Sequence, residues 1–406
     1  MNEDKAKRLA DFLRYWSIKS TSQAGSGHPS SCLSAVEIVS VLFADGFFKF
    51  DIQNPENLYN DRLVFSKGHA APLLYSLWAG VGAVNTQDLL RLRQKQSPLE
   101  GHPTFRFPLA QIATGSLGQG LSGACGIAVG LKKIIQDNPP FVFVLLGDSE
   151  LAEGQIWEAI LWAGKNKINN LVALIDQNRL GQRGETIWGR DMLKLADQIS
   201  SFDWKIHTVD DGHDTNLIRS TYQKIFKKKS NQPTAIIFRT KKGKGVPAIE
   251  DKNGWHGKAL PESKLQGVLK AFEKNKDFKI SLPVPKRAAL SLNHNLFKKT
   301  RPKATPLFYF SQKTATREVY GKTLNFMQTS NLCNLIALDA EVSNSTFAQD
   351  FKKANPERFL ELYIAEQNMI SMACGLSRIG YTPFVSSFSA FLTRAFDQIR
   401  MAQYSK

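Results

Sequence analysis

From residue 141 onward, short apolar runs alternate with segments spaced as amphipathic helices. FVFVLLGD (141–148) precedes EGQIWEAILWAGKNK (153–167). LVALID (171–176), a polar stretch, WKIHTVD (204–210), NLIRSTYQKIFKK (216–228) and TAIIFRT (234–240) follow. Apolar runs of four to eight residues bounded by turn residues read as buried strands, and their alternation with helices predicts repeated βαβ units. The fold class is therefore α/β, a parallel sheet flanked by helices. At the N-terminus, Leu9, Phe12, Leu13 and Trp16 fall on one face of a further helix. Between 284 and 305 prolines and lysines replace the periodicity, which marks a linker after a first domain at 1–283. The alternation restarts in a second domain at 306–406: helix 317–330, strands 334–339 and 359–364, helix 366–380, strand 382–388 and a last helix from 395. Three strands with open edges make an incomplete second α/β domain, a doubtful fold by itself.

One interval in this pattern carries chemistry. The run ending at Gly147 closes on Asp148, and the run ending at Asp176 closes on Gln177-Asn178, so Asp148 and Asn178 recur at strand ends. If the strands are parallel neighbours joined by a right-handed crossover, the two side chains sit past adjacent carboxyl ends, about 5 Å apart. Ligands of open α/β sheets bind at that edge. Mg²⁺ takes one or two protein oxygens and leaves its other positions for water and phosphates. Separately, Asp148 reads as a helix N-cap and Asn178 as a turn residue; together they predict a metal diphosphate site.

Composition narrows the class only slightly. The 406 residues hold two domains of ordinary size, and 42% hydrophobic residues suit a globular protein. No 20-residue uncharged run is present, and the charged N-terminus is unlike a secretory signal, so no membrane span and a cytoplasmic location are expected. Cys32, Cys125, Cys333 and Cys374 lie far apart without a CxxC pair, which indicates neither a disulfide framework nor a zinc site. A formal net charge of +17, with lysine clusters at 224–230, 239–245 and 297–303, favours anionic partners in general. Most such lysines are solvated surface.

Glycine and histidine turns supply the rest of an anion pocket. Gly118-x-Gly120-x-x-Gly123 matches the dinucleotide GxGxxG, but FPLAQIA before it is a poor strand, and Asp137 lies before the next strand instead of closing one. Lys67, Gly68 and His69 open a helix-like segment suited to an anion. His28, His69, His102 and His256 each adjoin a glycine in a short turn, and four together predict a polar cleft. His207 and His213 with Asp210 and Asp211 are explained by a strand end and an acidic turn. His294 lies in the linker.

These residues stand in motifs that resemble the transketolase family of thiamine-diphosphate enzymes: GSGHP, FSKGHA, GHPTFRFP, TGSLGQGL, GDSELAEGQIWEA through DQNRLGQ, KKGKGVPAIEDKNGWHGK, ATREVYG and YIAEQNM. The resemblance runs from about residue 8 to the last residue and takes the form of the shorter, animal-like branch. It implies the thiamine-diphosphate-binding fold, and a cofactor diphosphate on Mg²⁺ (or Ca²⁺) held by Asp148, Asn178 and the carbonyl of Leu180. Gly115, Ser116 and Leu117 would contact the aminopyrimidine; Ser31, His69, Lys242 and His256 would line the diphosphate and thiazolium region. Glu366 of a partner subunit would bond the pyrimidine as a buried proton partner, with Phe391 stacking nearby, so a homodimer is implied. His28, His102 and His256 would face the sugar hydroxyls, and Arg317 and Ser345 the substrate phosphate. The implied reaction moves a two-carbon ketol unit from a ketose phosphate to an aldose phosphate.

Two departures follow. Ser149 stands where the family has glycine after the metal-binding Asp, and if that position needs φ > 0 or very close approach to the diphosphate a Cβ costs about 1 kcal/mol or more. The chain ends about 40 residues past Glu366, so the remainder of the pyrimidine domain and a C-terminal domain are expected to be missing. The readings are an enzyme completed by a separate chain, a truncated or degenerate non-catalytic fragment, and a basic binding module for nucleic acid. The last is unlike a stacking surface, since KIFKKKS has one aromatic.

Overall fold

The computed structural model describes residues 4–227, 230–286, 313–329 and 334–405. The expected linker therefore lies mostly outside the described residues, as do His294, Cys333 and the lysine cluster at 297–303. The first domain contains a five-stranded sheet made of β1 (Arg62–Phe65), β2 (Val142–Gly147), β3 (Leu171–Gln177), β4 (Lys205–Val209) and β5 (Thr234–Arg239). Its order is β1-β2-β3-β5-β4, and every pairing is parallel. β2 and β3 are buried along their whole length, which is why they read as continuous apolar runs: helices cover both faces of a parallel sheet. One apolar cluster, with Phe12, Phe43, Trp78 and Tyr222, fills one face. A second, with Leu121, Ile156, Trp162 and Leu195, fills the other.

The second domain holds a three-stranded parallel sheet of β6 (Leu335–Asp339), β7 (Phe359–Glu361) and β8 (Thr382–Ser386), in the order β7-β6-β8. It does not stand alone. Ile336, Leu338, Met369, Met372 and Leu376 belong to the same apolar cluster as the second face of the large sheet. The contact is a crossing of two helices, Gln119–Ile134 and Glu366–Arg378, at backbone distance. A Cβ on Gly126 would lie 2.1 Å from the Met372 carbonyl oxygen, and one on Gly375 would lie 2.0 Å from that of Gly123. The small sheet, doubtful by itself, is thus stabilised by docking on the first domain.

The GxGxxG run is accounted for by close packing within the first domain, beside this crossing. Gly118 (φ 94) caps the helix, where a Cβ would meet the Glu153 side chain at 2.3 Å; Gly120 and Gly123 lie inside it against Ser66 and Ile112. FPLAQIA forms no strand. One strand escaped the sequence reading: β1 is four residues long and begins on Arg62, whose guanidinium donates to the carbonyls of Pro55 and Asn57. No helix among the described residues is long and apolar enough to cross a membrane.

Candidate active site

Asp148 and Asn178 stand where the strand-end argument put them. Gly147 pairs with Asp176 across β2 and β3, and Asp148 N donates to the Asp176 carbonyl at 3.3 Å. Asp148 Oδ2 accepts from Arg179 N at 2.7 Å and from Thr186 Oγ1 at 3.1 Å, while Oδ1 accepts from Ser149 N at 3.0 Å. Asn178 Oδ1 accepts from Leu180 N at 3.2 Å, and its Nδ2 donates to Asp176 Oδ2 at 3.3 Å. Both side chains are buried. Burial pushes the Asp148 carboxyl up to about 6, and the neighbouring Asp176 charge adds to the rise. The Lys67 charge offsets this only in part, and a divalent cation is the kind of counter-charge that would complete it.

The third implied ligand, the Leu180 carbonyl, accepts from Lys242 Nζ at 2.7 Å. Lys242 also reaches Gly181 O at 3.3 Å and lies 2.9 Å from His256 Nδ1. Burial, then the Lys67 charge, lowers its ammonium to about 8. A cationic group resting on that carbonyl fits the donor set of a metal position: three oxygens, hard and partly anionic, of the kind Mg²⁺ and Ca²⁺ select. Among the described residues no group of three or more His, Cys, Asp and Glu could hold a metal, so an Asp–Asn–carbonyl set is the candidate.

The four glycine-flanked histidines come together. Ring centroids lie 5.1 Å apart for His28 and His69, 5.0 Å for His28 and His256, 5.3 Å for His69 and His256, and 6.3 Å for His28 and His102. Burial lowers all four, and the charges of neighbouring rings and cations lower them further: His28 to about 4, His256 to about 3, His69 well below its ordinary value, and His102 in the same direction. At neutral pH the cluster is a ring of neutral imidazoles, each able to donate and accept. Ser31 Oγ and His28 Nδ1 are buried there without a hydrogen-bond partner among the described residues. Buried polar atoms left unpaired are rare and point to a ligand that would complete them.

Glycines hold these turns close. A Cβ on Gly68 would lie 2.6 Å from Gly115 N, and one on Gly115 (φ 125) would lie 2.7 Å from the His102 ring. The Gly115–Leu117 loop therefore lies against both histidine turns. Ser116 Oγ donates to Asp397, which also accepts from Gln119 Nε2 at 2.6 Å; Leu117 is exposed. Ser149 is exposed and lies in a short 3-10 turn with no left-handed backbone. Arg179, at φ 64, is the residue that takes the left-handed conformation beside Asp148. The conformational cost expected at Ser149 does not arise, because that backbone region accepts any L-residue.

The second-domain residues keep other company. Glu366 is 3% exposed, opens its helix, and pairs with Arg394 at 3.2 Å. Its charge also bears on Glu158, whose carboxylate accepts from Asn368 N. Phe391 is partly exposed and stacks on Phe388 at 5.2 Å. Arg317 lies over the Phe347 ring at 5.7 Å, and Ser345 N bonds the Val342 carbonyl in the short helix whose Thr346 holds Asp339. Within the chain, Glu366, Phe391, Arg317 and Ser345 thus gather around the small sheet, while Asp148, Asn178, Leu180, Lys242, Ser31 and the histidines gather at the large one. His213 is no metal ligand: it lies 2.9 Å from Glu37 and accepts from Lys241 N.

Sequence reasoning missed Asp176 and Glu150, and read Lys67 as suited to an anion, whereas it pairs with Asp176. Asp176 is fully buried and bonds Lys67, Ser34 and Thr240. Burial would raise it, but the Lys67 charge and these hydrogen bonds outweigh that and hold it below the usual carboxylate range. Glu150, also buried, accepts from Ser66, Gly118 N and Gly147 N, tying the glycine loop to the end of β2. An acid closing the LVALID run was the available signal for Asp176.

The fold and site define a class: an α/β protein with buried acidic, amide and lysine side chains and a histidine cluster at the carboxyl edge of a parallel sheet. Residues 5–299 match the family described as "Transketolase, thiamine diphosphate binding domain", and residues 312–406 match "Transketolase, pyrimidine binding domain". The chain is 43% identical over 403 residues to transketolase-like protein 2 of Mus musculus and 44% identical over 405 residues to transketolase of Homo sapiens. Each match covers 98% of this chain and 63% of the relative, so the chain spans just under two thirds of their length. A crystal structure of transketolase from Campylobacter jejuni superposes with a TM-score of 0.86 at 27% identity, covering 99% of this chain and 68% of that one. A Pichia stipitis transketolase in complex with sedoheptulose-7-phosphate shares the fold, with a TM-score of 0.83 at 22% identity, covering 99% of this chain and 67% of that one. The chain belongs to the transketolase family.

Proposed function

We propose that this chain binds thiamine diphosphate through a divalent cation on Asp148, Asn178 and the Leu180 carbonyl, and serves transfer of a two-carbon ketol unit between sugar phosphates. The observation that carries the reading is the juxtaposition at one sheet edge of a charge-starved carboxylate, Asp148, with four neutral histidines around the orphaned polar atoms of Ser31 and His28. When bound, the cofactor supplies the carbanion chemistry by which a carbon–carbon bond next to a carbonyl is broken and remade. The protein's part is position and charge. Asp148 and Asn178 hold the cation, and Lys242, Ser31 and His69 neutralise and orient the diphosphate. Neutral His28, His102 and His256 donate to sugar oxygens as negative charge develops on them. Gly115 to Leu117 present backbone to the pyrimidine.

Glu366 is the proposed proton partner of the pyrimidine, with Phe391 beside it, and Arg317 and Ser345 are proposed to hold the substrate phosphate. Their partners within their own domain, Arg394, Phe388, Phe347 and Val342, support a homodimer in which each site is completed by the other copy. Completion by a separate chain is the variant of this reading, since the matched relatives are longer. Titration calorimetry with thiamine diphosphate and Mg²⁺ tests the binding step: the wild type binds, and Asp148→Ala lowers affinity at least a hundredfold. Equal binding by the two would remove the metal site and the function with it. Ketol transfer assayed with the chain alone, and again with a polypeptide carrying the remaining third of the relatives, separates the self-sufficient dimer from the completed one.

A further inference from the structure

Glu37 and His213 form a buried titratable pair that the site does not use. Glu37 lies in the helix Val36–Ala44 and His213 just before the helix Thr215–Lys227, and their side chains are 8% and 7% exposed. Among the described residues, neither bonds a group assigned above to the cation, the cofactor or the sugar. One Glu37 oxygen accepts from Arg14 Nη2, and the other lies 2.9 Å from His213 Nδ1. The second ring nitrogen fixes the tautomer. Lys241 N donates to His213 Nε2 at 2.8 Å, and a backbone amide can only donate, so Nε2 carries no proton. The ring proton is therefore on Nδ1 and is donated to Glu37. Burial would raise the Glu37 carboxyl, but the Arg14 charge and the His213 bond outweigh it and hold it below the usual carboxylate range. The same carboxylate also reaches the far side of the turn that begins at Lys241. Arg14 Nε donates to the Lys244 carbonyl at 3.2 Å, and a Cβ on Gly245 (φ 87) would lie 2.9 Å from that nitrogen. Glu37 thus holds both flanks of the turn 241–245, through His213 at one end and Arg14 at the other. Glu250 adds an outer tie, accepting from Gly245 N at 3.0 Å and Lys244 Nζ at 3.3 Å. Between the flanks, Gly243 N donates to the Ser30 carbonyl at 2.9 Å, and the Lys242 side chain reaches the Leu180 carbonyl and His256.

We propose that His213, its tautomer fixed by Glu37, is a positioning residue that sets the turn 241–245 and so aims Lys242 at the cofactor diphosphate. An ammonium on a flexible four-carbon stem has no direction of its own, so its aim depends on where the backbone places its Cα. The competing account is that the buried Arg14–Glu37–His213 group only stabilises the fold. For the identity of the anion the inference rests on the cofactor reading above; for the geometry of the turn it does not.

Two substitutions in the full chain divide the two bonds of the imidazole. In His213→Asn the amide stands near the Nδ1 position and can still donate to Glu37, but Lys241 N loses its acceptor. In His213→Gln the amide oxygen reaches the Nε2 position and can accept from Lys241 N, but buried Glu37 loses a donor. His213→Gln should therefore melt at the lower temperature of the two, because a buried carboxylate left short of a donor costs most. Affinity should run the other way. In calorimetric titration with thiamine diphosphate and Mg²⁺, and again with inorganic diphosphate and Mg²⁺, His213→Gln should bind within twofold of wild type. His213→Asn should bind about fivefold more weakly, the size of one lost hydrogen bond. On a Lys242→Ala background the two should bind alike. Without any ligand, hydrogen exchange of the backbone at 240–246 should be faster in His213→Asn than in His213→Gln. The inference is overturned if affinity follows melting temperature, so that His213→Gln is the weaker binder, or if the difference survives Lys242→Ala. A wild type that binds neither phosphate ligand would sink the cofactor reading alone. The exchange order would then decide the positioning role, upheld by faster exchange in His213→Asn and overturned by equal exchange.

Discussion

If Asp148 holds the proposed cation, it ties cation binding to pH, and the structure sets the size of the effect. The carboxyl titrates near 6 in the folded chain against an ordinary 3.8, because it is buried beside Asp176. A cation needs the ionised form, so below pH 6 each unit of pH should weaken cation affinity about tenfold, or about 1.4 kcal/mol. Without a cation the sign for stability is set by the raised value. Stability from the protonated form is complete below pH 3.8 and is lost as pH rises through about 6, a total on the order of 3 kcal/mol. A bound cation reverses that loss. Calorimetry with Mn²⁺ alone, in two buffers of different ionisation enthalpy, counts the protons released. The expected release from Asp148 is about half a proton at pH 6 and about a tenth at pH 7, and Lys242, lowered to about 8, adds whatever proton it loses when a cation takes the Leu180 carbonyl. The window between pH 7 and 5 stays clear of His28 and His256, which titrate near 4 and 3. Affinity that is flat over this window, or no proton release at pH 6, would refute the assignment of Asp148 as the ligand whose charge the site lacks.

Two further outcomes follow from the packing and the histidines. Gly126→Ala or Gly375→Ala places a Cβ against backbone that cannot rotate away, at 2.1 Å and 2.0 Å, so each should cost at least about 1–3 kcal/mol in urea denaturation. The double variant should cost less than their sum, because helices already parted accept the second methyl. The histidines, lowered in the folded chain, favour folding fully above the ordinary 6.5 and lose that contribution as pH falls below it, for His28 through about 4. The melting temperature should therefore drop between pH 7 and 5, and His28→Asn should recover about 1–2 kcal/mol of the loss after allowance for its partial exposure.

What could be read from the sequence was whatever depends on local backbone. β2, β3 and β5 announce themselves because both faces are covered, and Asp148 and Asn178 because strand ends in a parallel sheet share one edge. The histidine turns were legible through their glycines, and Gly115 is required by both its φ of 125 and the His102 ring beneath it. Partners distant in sequence were not legible. Lys67 pairs with Asp176 from 109 residues away, and nothing in FSKGHA says that its lysine points under the sheet edge instead of at an anion. The strand order, with β5 between β3 and β4, is likewise a long-range fact.

The glycines of residues 114–126 show why a motif's spacing underdetermines its use. The same letters serve a phosphate turn in a dinucleotide fold or close approach of two helices, and only the surface facing Gly123 and Gly126 decides. Here Gly123 faces the Ile112 side chain and Gly126 the backbone of Met372, while Gly375 of the facing helix lies against the Gly123 carbonyl. The crossing seats the second domain on the first and so fixes Glu366 beside Arg394 and Glu158, while the histidines lie at the carboxyl edge of the large sheet. A glycine-to-alanine change at the crossing would therefore shift Glu366 without touching any residue that holds the cation. Cofactor affinity of Gly126→Ala that falls while its Mn²⁺ affinity stays within twofold would show the two halves of the site acting through that contact. Equal loss of both would place the damage in the large sheet itself.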